Sequence, residues 1–168
     1  MKVLILNGSP RVGGNTTVAV EEMERIFREE GVEVETVQVG ARDIRGCIAC
    51  GRCAETGRCV FDDIVNELAP KLEAADGLVV ASPVYYASAN ATLVACLTRL
   101  FYSSHFDKSM KVGASVVCAR RGGCRVLPAP PPALRSADGR KGARPARSPA
   151  GTTPARQNPR PGSLRRSA

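Results

Sequence analysis

Val3-Leu4-Ile5-Leu6-Asn7-Gly8-Ser9-Pro10-Arg11-Val12-Gly13-Gly14-Asn15-Thr16-Thr17 is the stretch whose reading decides the fold. Its four apolar residues read as a strand and its Gly- and Pro-rich middle as a loop. From Thr16 onward, Ala19, Met23, Ile26 and Phe27 recur at helical spacing, which predicts a helix to about Glu30. A strand, a loop and a helix start in that order aim unpaired backbone N–H groups and the positive end of a helix dipole at one point, where an anion is stabilised. The hydroxyls of Ser9, Thr16 and Thr17, with the Arg11 guanidinium, complete a cradle for a phosphate, against the plainer reading of a simple turn.

Several nucleotide loops share this look. A P-loop requires G-x-x-x-x-G-K-[ST]; Gly8 and Gly13 have the right separation, but Gly14 stands where the Lys belongs and Asn15 where the Ser or Thr belongs. The dinucleotide fingerprint G-x-G-x-x-G fails at Pro10. A terminal phosphate monoester held by hydroxyls and amides remains. Gly8-Ser9-Pro10-Arg11 with Asn15-Thr16 resembles the phosphate loop of the NADPH-dependent FMN reductase family, which implies a flavodoxin-like fold and places Asn15 in the phosphate site.

Outward from this loop, Gly31 ends the helix, and Val32, Val34, Val37 and Val39 form a β-rich run whose alternation slips at Thr36, as in an edge strand with a bulge or an irregular end. Residues 40–60 have no period of their own, and a connection of that length is expected to be functional or unstructured. Asp62 and Asp63 offer an N-cap to Ile64, Leu68, Leu72 and Ala75, with Pro70 expected near the first position of that helix after a loose turn. Gly77-Leu78-Val79-Val80-Ala81 is a strand covered on both faces, a helix follows over about 89–102, and Lys111 to Cys118 is a fourth strand. This order gives an α/β, doubly wound parallel sheet.

The chain changes character after Gly123. Residues 124–168 hold nine of the twelve prolines, no aromatic residue and ten Arg or Lys against one acid, so the tail carries +9 and residues 1–123 carry −1 of the net +8. Such a segment cannot offset the entropy of ordering and reads as disordered and basic. The expected division is therefore 1–123 as a flavodoxin-like FMN-binding domain, lacking the usual fifth strand and last helix, and 124–168 as a tail. Its Arg, Pro, Ala and Gly mixture is what GC-rich coding sequence yields in a wrong frame, so a frameshift is expected past Gly123. A nucleic-acid partner is not expected, because it would rest on the tail alone. No run approaches a membrane span or a signal-peptide core, and the reading is cytoplasmic.

Cys47, Cys50, Cys53 and Cys59 are spaced C-x2-C-x2-C-x5-C, which lets one loop wrap one centre. A [4Fe-4S] cluster, free or redox-active thiols and a zinc site all stay open on spacing alone. The run Gly46-Cys47-Ile48-Ala49-Cys50 through Cys59-Val60-Phe61-Asp62-Asp63 resembles the cysteine motif of iron-sulfur flavoproteins, a branch of the same superfamily. Ser82-Pro83-Val84-Tyr85-Tyr86 leaves the carboxyl end of a central strand, where an open α/β sheet takes its ligand. Pro83, Val84, Tyr85 and Tyr86 can supply backbone amides and flat cover to a flavin. The resemblance implies that this loop and Ala119-Arg120-Arg121-Gly122-Gly123 border the isoalloxazine, with Ala119, Arg120, Gly122 and Gly123 in contact. Cys96 and Cys118 read as packing residues and His105 as a loop residue. No acid–base pair is visible, and no catalytic side chain is expected.

The resemblance implies an oxidoreductase with FMN as cofactor and NAD(P)H as cosubstrate, passing electrons to a small-molecule or protein acceptor (a quinone, a flavin or a ferredoxin-like protein) and working as a homo-oligomer. Two rivals stand beside it. One is a flavin or iron–sulfur electron carrier or redox sensor without turnover; the other is a truncated, inactive member of the family.

Overall fold

The computed structural model describes residues 1–122 and the pair Arg135–Ser136. Gly123, the tail of residues 124–168 apart from that pair, and the frameshift expectation lie outside the described residues. Among the described residues the chain order is β1 (Lys2–Asn7), α1 (Asn15–Glu29), β2 (Glu33–Gln38), α2 (Cys53–Thr56), α3 (Ile64–Ala74), β3 (Gly77–Tyr85), β4 (Ser88–Ala89), α4 (Ala91–Ser103), β5 (Val112–Cys118) and β6 (Arg135–Ser136). The strands lie in the order β2-β1-β3-β5-β6, with β4 paired to β3 as a short antiparallel return. The five strands in that order run parallel, in the flavodoxin-like winding.

Alternation along the central strands sorts the core onto two faces. Leu4, Leu6, Leu78 and Val80 pack under α3 and α4 against Val65, Leu68, Leu72, Leu93, Cys96 and Leu100. Val3, Ile5, Val79 and Ala81 face α1, where Val20, Met23 and Phe27 cover them. Both faces of β1 and β3 are thus buried, which is why these strands read as unbroken apolar runs.

Four differences from the sequence reading have physical reasons. Pro70 lies inside α3, not at its start. The lost intrahelical bond and ring clash cost about 3 kcal/mol, but the Asp63 carboxylate caps the Val65 N–H at 3.1 Å and Val65, Leu68 and Leu72 are fully buried; each such side chain contributes ~1.5–3 kcal/mol. β2 is an edge strand without a bulge, since it keeps register with β1 through six consecutive pairs from Lys2 with Glu33 to Asn7 with Gln38. β3 continues past Ala81, because β5 extends further than β1 at that end and pairs Ser82 with Val117 and Pro83 with Cys118. Arg135 and Ser136 lie parallel to the start of β5, opposite Val112 and Gly113, in the fifth place of the sheet where no strand is expected from composition. No helix of the described residues is long and apolar enough to cross a membrane.

Candidate functional site

The strand-to-helix loop after β1 is held by its own short side chains. The Asn7 side-chain oxygen accepts from the Ser9 N–H at 2.9 Å, and its side-chain amide donates to the Thr17 hydroxyl at 3.3 Å. Ser9 Oγ accepts from the Arg11 N–H, and both Ser9 and Thr17 donate to the Arg11 carbonyl, each at 3.2 Å. Gly13 takes φ +77°, which turns the chain into α1, and Gly14 caps α1 without a side-chain bond. The first helical N–H groups therefore face the loop with no side chain in their way.

This loop forms one wall of a cleft of about 930 Å³. Ser9, Arg11, Asn15 and Thr16 line it on one side, and Pro83, Val84, Tyr85, Ala119 and Arg120 on the other. Nine of the predicted cofactor residues, drawn from three strand ends, are thus brought to one cavity. Thr17 is not among the lining residues; it is buried and spent on the loop's internal bonds. Tyr86 is fully exposed with φ +44°, followed by Ala87 at +60°, so the pair makes the tight turn between β3 and β4, and Tyr86 does not line the cleft. Gly122 is described but does not line the cleft. Cys118, read from sequence as packing, lines it.

Sequence reasoning missed the residues that hold the cleft's walls together. Asn90 is buried at the N-cap of α4, accepting from the Thr92 N–H at 3.0 Å. Its side-chain amide donates to the Gly8 carbonyl at 2.7 Å and the Gly40 carbonyl at 3.4 Å, while its N–H donates to the Ser82 hydroxyl at 3.0 Å. One residue so joins the loop after β1, the turn that follows β2 and the C-terminal part of β3. Gln38 adds a bond to the Ser9 carbonyl at 2.7 Å. Gly40 is required because a Cβ there would run into the Gly8 backbone.

The cysteine loop lies against the C-terminal half of α4, at Arg99, Tyr102 and Ser103. Cys47, Cys50, Cys53 and Cys59 all line one small cavity, of about 30 Å³, with Phe61, Arg99 and Tyr102 around it. Among the described residues, no three His, Cys, Asp or Glu side chains converge as they do around a single ion. The two arms of the loop differ. Cys47 and Cys50 are exposed, and the thiol of Cys47 accepts only a local N–H, from Ala49 at 3.4 Å. Cys59 is fixed on three sides: its N–H donates to the Asn66 side chain at 2.9 Å, its carbonyl accepts from the Asn66 amide at 3.1 Å, and its Sγ accepts from Arg99 Nε at 3.1 Å.

Arg99 has no exposed side-chain surface and pairs through both terminal nitrogens with Asp63, at 2.6 and 2.8 Å. Further donations reach the Arg45 carbonyl at 3.2 Å and the Phe61 carbonyl at 3.3 Å, and the guanidinium lies 5.0 Å from the Phe61 ring centroid. Burial works against its charge, but the Asp63 carboxylate and Cys59 more than offset this and hold its pKa above the ordinary value. Cys96, one turn earlier on the apolar face, has its thiol pushed up to about 12 by burial, as a packing residue should. The donor set suits an iron–sulfur centre in kind, with four sulfurs on one cavity and N–H donors on two of them.

The NADPH-dependent FMN reductase family model matches residues 1–137, and the chain belongs to that family. It is 37% identical over 126 residues to an iron-sulfur flavoprotein of Methanocaldococcus jannaschii, covering 73% of this chain and 65% of the relative. It is 38% identical over 127 residues to an iron-sulfur flavoprotein of Methanosarcina thermophila, covering 73% and 66%. The chain thus spans just under two thirds of the length of these curated relatives. Among solved structures the fold is shared with RosB carrying 8-demethyl-8-formylriboflavin-5'-phosphate (TM-score 0.59, 22% identity, 81% of this chain and 64% of that one). It is also shared with an NAD(P)H:quinone oxidoreductase of Methanothermobacter marburgensis (TM-score 0.58, 17% identity, 71% and 64%).

Proposed function

We propose that this chain, as a member of the NADPH-dependent FMN reductase family, is an FMN-dependent oxidoreductase drawing on NAD(P)H. The observation that carries the reading is the single cleft walled by three separate strand-end loops, with an uncapped helix start and an arginine at one end and Pro83, Val84 and Tyr85 at the other. Ser9, Arg11, Asn15 and Thr16 would hold the phosphate of FMN, and Pro83, Val84, Tyr85, Ala119 and Arg120 would border its ring. FMN supplies hydride acceptance and one- or two-electron release, which ordinary side chains do not. The side chains bind, orient and shield; the backbone of the phosphate loop is already organised, so little is spent on ordering it when ligand arrives.

A second reading is favoured for the cysteine loop. The shared cavity of the four cysteines and the names of the relatives support an iron–sulfur centre held by Cys47, Cys50, Cys53 and Cys59, which we take to be a [4Fe-4S] cluster on the count of four thiolate ligands. A cluster supplies one-electron chemistry, which suits a protein acceptor of the ferredoxin type; without it, a quinone or free flavin is the more natural acceptor.

The deciding experiment is an FMN titration of the full chain followed by steady-state NAD(P)H oxidation. Stoichiometric binding that Arg11→Ala together with Ser9→Ala weakens by at least tenfold is expected. Absence of FMN binding overturns the proposal, and binding without nicotinamide-dependent turnover leaves the electron-carrier alternative in its place.

A further inference from the structure

We infer that Arg99 is the positioning residue of the cysteine loop, presetting Cys59 as the fixed ligand about which the other three cysteines adjust; this rests on the cluster reading above. The argument begins with phase. Arg99 sits three residues after Cys96 and four before Ser103, on the stripe that α4 turns inward, where an aliphatic residue would be expected. A guanidinium fully removed from water is costly unless its donors are met. All three of its nitrogens are engaged, and every partner belongs to the cysteine loop or its end: the Arg45 and Phe61 carbonyls, the Cys59 sulfur and the Asp63 carboxylate. Asp63 in turn caps α3, and Asn66 on α3 clamps the Cys59 backbone from the other side.

The result is a loop anchored at Arg45 and at Cys59, with the stretch that carries Cys47 and Cys50 unanchored between them. Among the described residues, side chains and amides of 46–50 make no hydrogen bond to the sheet or to α4, and the cavity between the sulfurs is too small for a metal–sulfur cage until that stretch moves outward. An anchored Cys59 gives the incoming centre one ligand of fixed place. The same N–H also favours the more negative, reduced form of any centre bound there, since hydrogen bonds to sulfur raise the potential of such clusters.

The test uses the full chain, loaded with FMN and reconstituted anaerobically with ferrous iron and sulfide. Arg99→Lys keeps a positive charge for Asp63 but not the planar fork that reaches Cys59 at the same time. It should bind FMN as the unchanged chain does, lose iron to a chelator roughly tenfold faster, and shift the reduction equilibrium of its centre about tenfold toward the oxidised form, ~59 mV for one electron. If Arg99→Lys does not fold, Asp63→Asn, which loosens the fork while keeping a capping side chain, carries the same test with smaller shifts in the same direction. Iron retention and potential unchanged in the folded variant overturn the inference alone. A parent chain that binds FMN but takes up no iron overturns the cluster reading and the inference with it.

Discussion

The phosphate loop and the cysteine loop are both long, both glycine-bearing and both pinned to α4, yet they are organised in opposite ways. The first is closed by bonds among its own residues, Asn7, Ser9, Arg11 and Thr17, and then fastened to Gln38 and Asn90. The second is held from outside, by Arg99 at the Arg45 carbonyl before the cysteines and by Arg99 and Asn66 at Cys59 after them, while residues 46–50 bond neither to the sheet nor to α4 among the described residues. A loop that holds its shape alone is suited to a ligand that docks and leaves its backbone unchanged. A loop with a loose stretch is suited to a ligand that completes it, where binding energy is also ordering energy.

The two loops meet at one point, and the largest predicted effect lies there. Gly40 begins the connection to the cysteines and presses on the Gly8 backbone. In Gly40→Ala no flexible side chain can yield, so one backbone must shift, at a cost of about 1–3 kcal/mol or more. FMN affinity should fall by at least tenfold and the unfolding midpoint should drop, read by flavin fluorescence titration and a denaturant melt. Unchanged FMN affinity would show that the loops are independent.

Next in size are the two asparagine clamps. Asn90→Ala removes a helix cap and two buried bonds to carbonyls, which together should cost about 2–3 kcal/mol of stability and weaken FMN binding several-fold. Asn66→Ala should cost ~1–2 kcal/mol and leave FMN affinity unchanged, because it touches only the cysteine side. If both variants lower FMN affinity equally, the division between a docking loop and a completing loop fails.

These clamps also mark where the sequence is legible. The loop after β1 can be read as a strand-to-helix turn bordering a cleft because its strand, glycines, hydroxyls and helix start are contiguous, and Ser9, Arg11, Asn15 and Thr16 do line that cleft. Asn90 could not be read in the same way, since its partners Gly8 and Gly40 lie 82 and 50 positions away. Arg99 left a signal that went unused: a charged residue in phase with Cys96, Leu100 and Ser103 on an otherwise apolar stripe. Thr17 is not placed by sequence, because a hydroxyl near a helix start serves a ligand or the loop itself equally well; here its contacts are to Asn7 and Arg11 within the loop. The short pairing of Arg135 and Ser136 beside β5 has no local signature in a run of Pro, Ala and Arg.

The thiols sharpen the comparison chemically. With the chain free of iron, Cys47 and Cys50 are exposed and should be alkylated first, with Cys59, half-buried under Arg99, behind them. Cys96 should remain unmodified at neutral pH while the fold persists, as peptide mass spectrometry would show. Early modification of Cys96 would mean that α4 opens readily and that neither loop has a rigid support.

The smallest effect concerns the same residue and has a definite sign. Burial raises the Cys96 pKa to about 12 in the folded chain, while an unfolded thiol ionises near 8.5. Between those values the unfolded state gives up its proton and the folded state keeps it, so stability is present in full below about pH 8.5 and is lost as pH rises toward 12, at up to ~1.4 kcal/mol per unit. Other groups titrate in the same range, so the quantity to measure is the difference between the parent chain and Cys96→Ala. The variant should be somewhat less stable at pH 7, by about 1 kcal/mol for the small cavity left under the sheet, and should lose less of its stability on going to pH 10. Parallel stability curves for the two chains would mean that Cys96 is not sealed from water. The helix carrying Asn90 and Arg99 would then not be the fixed beam that both loops require.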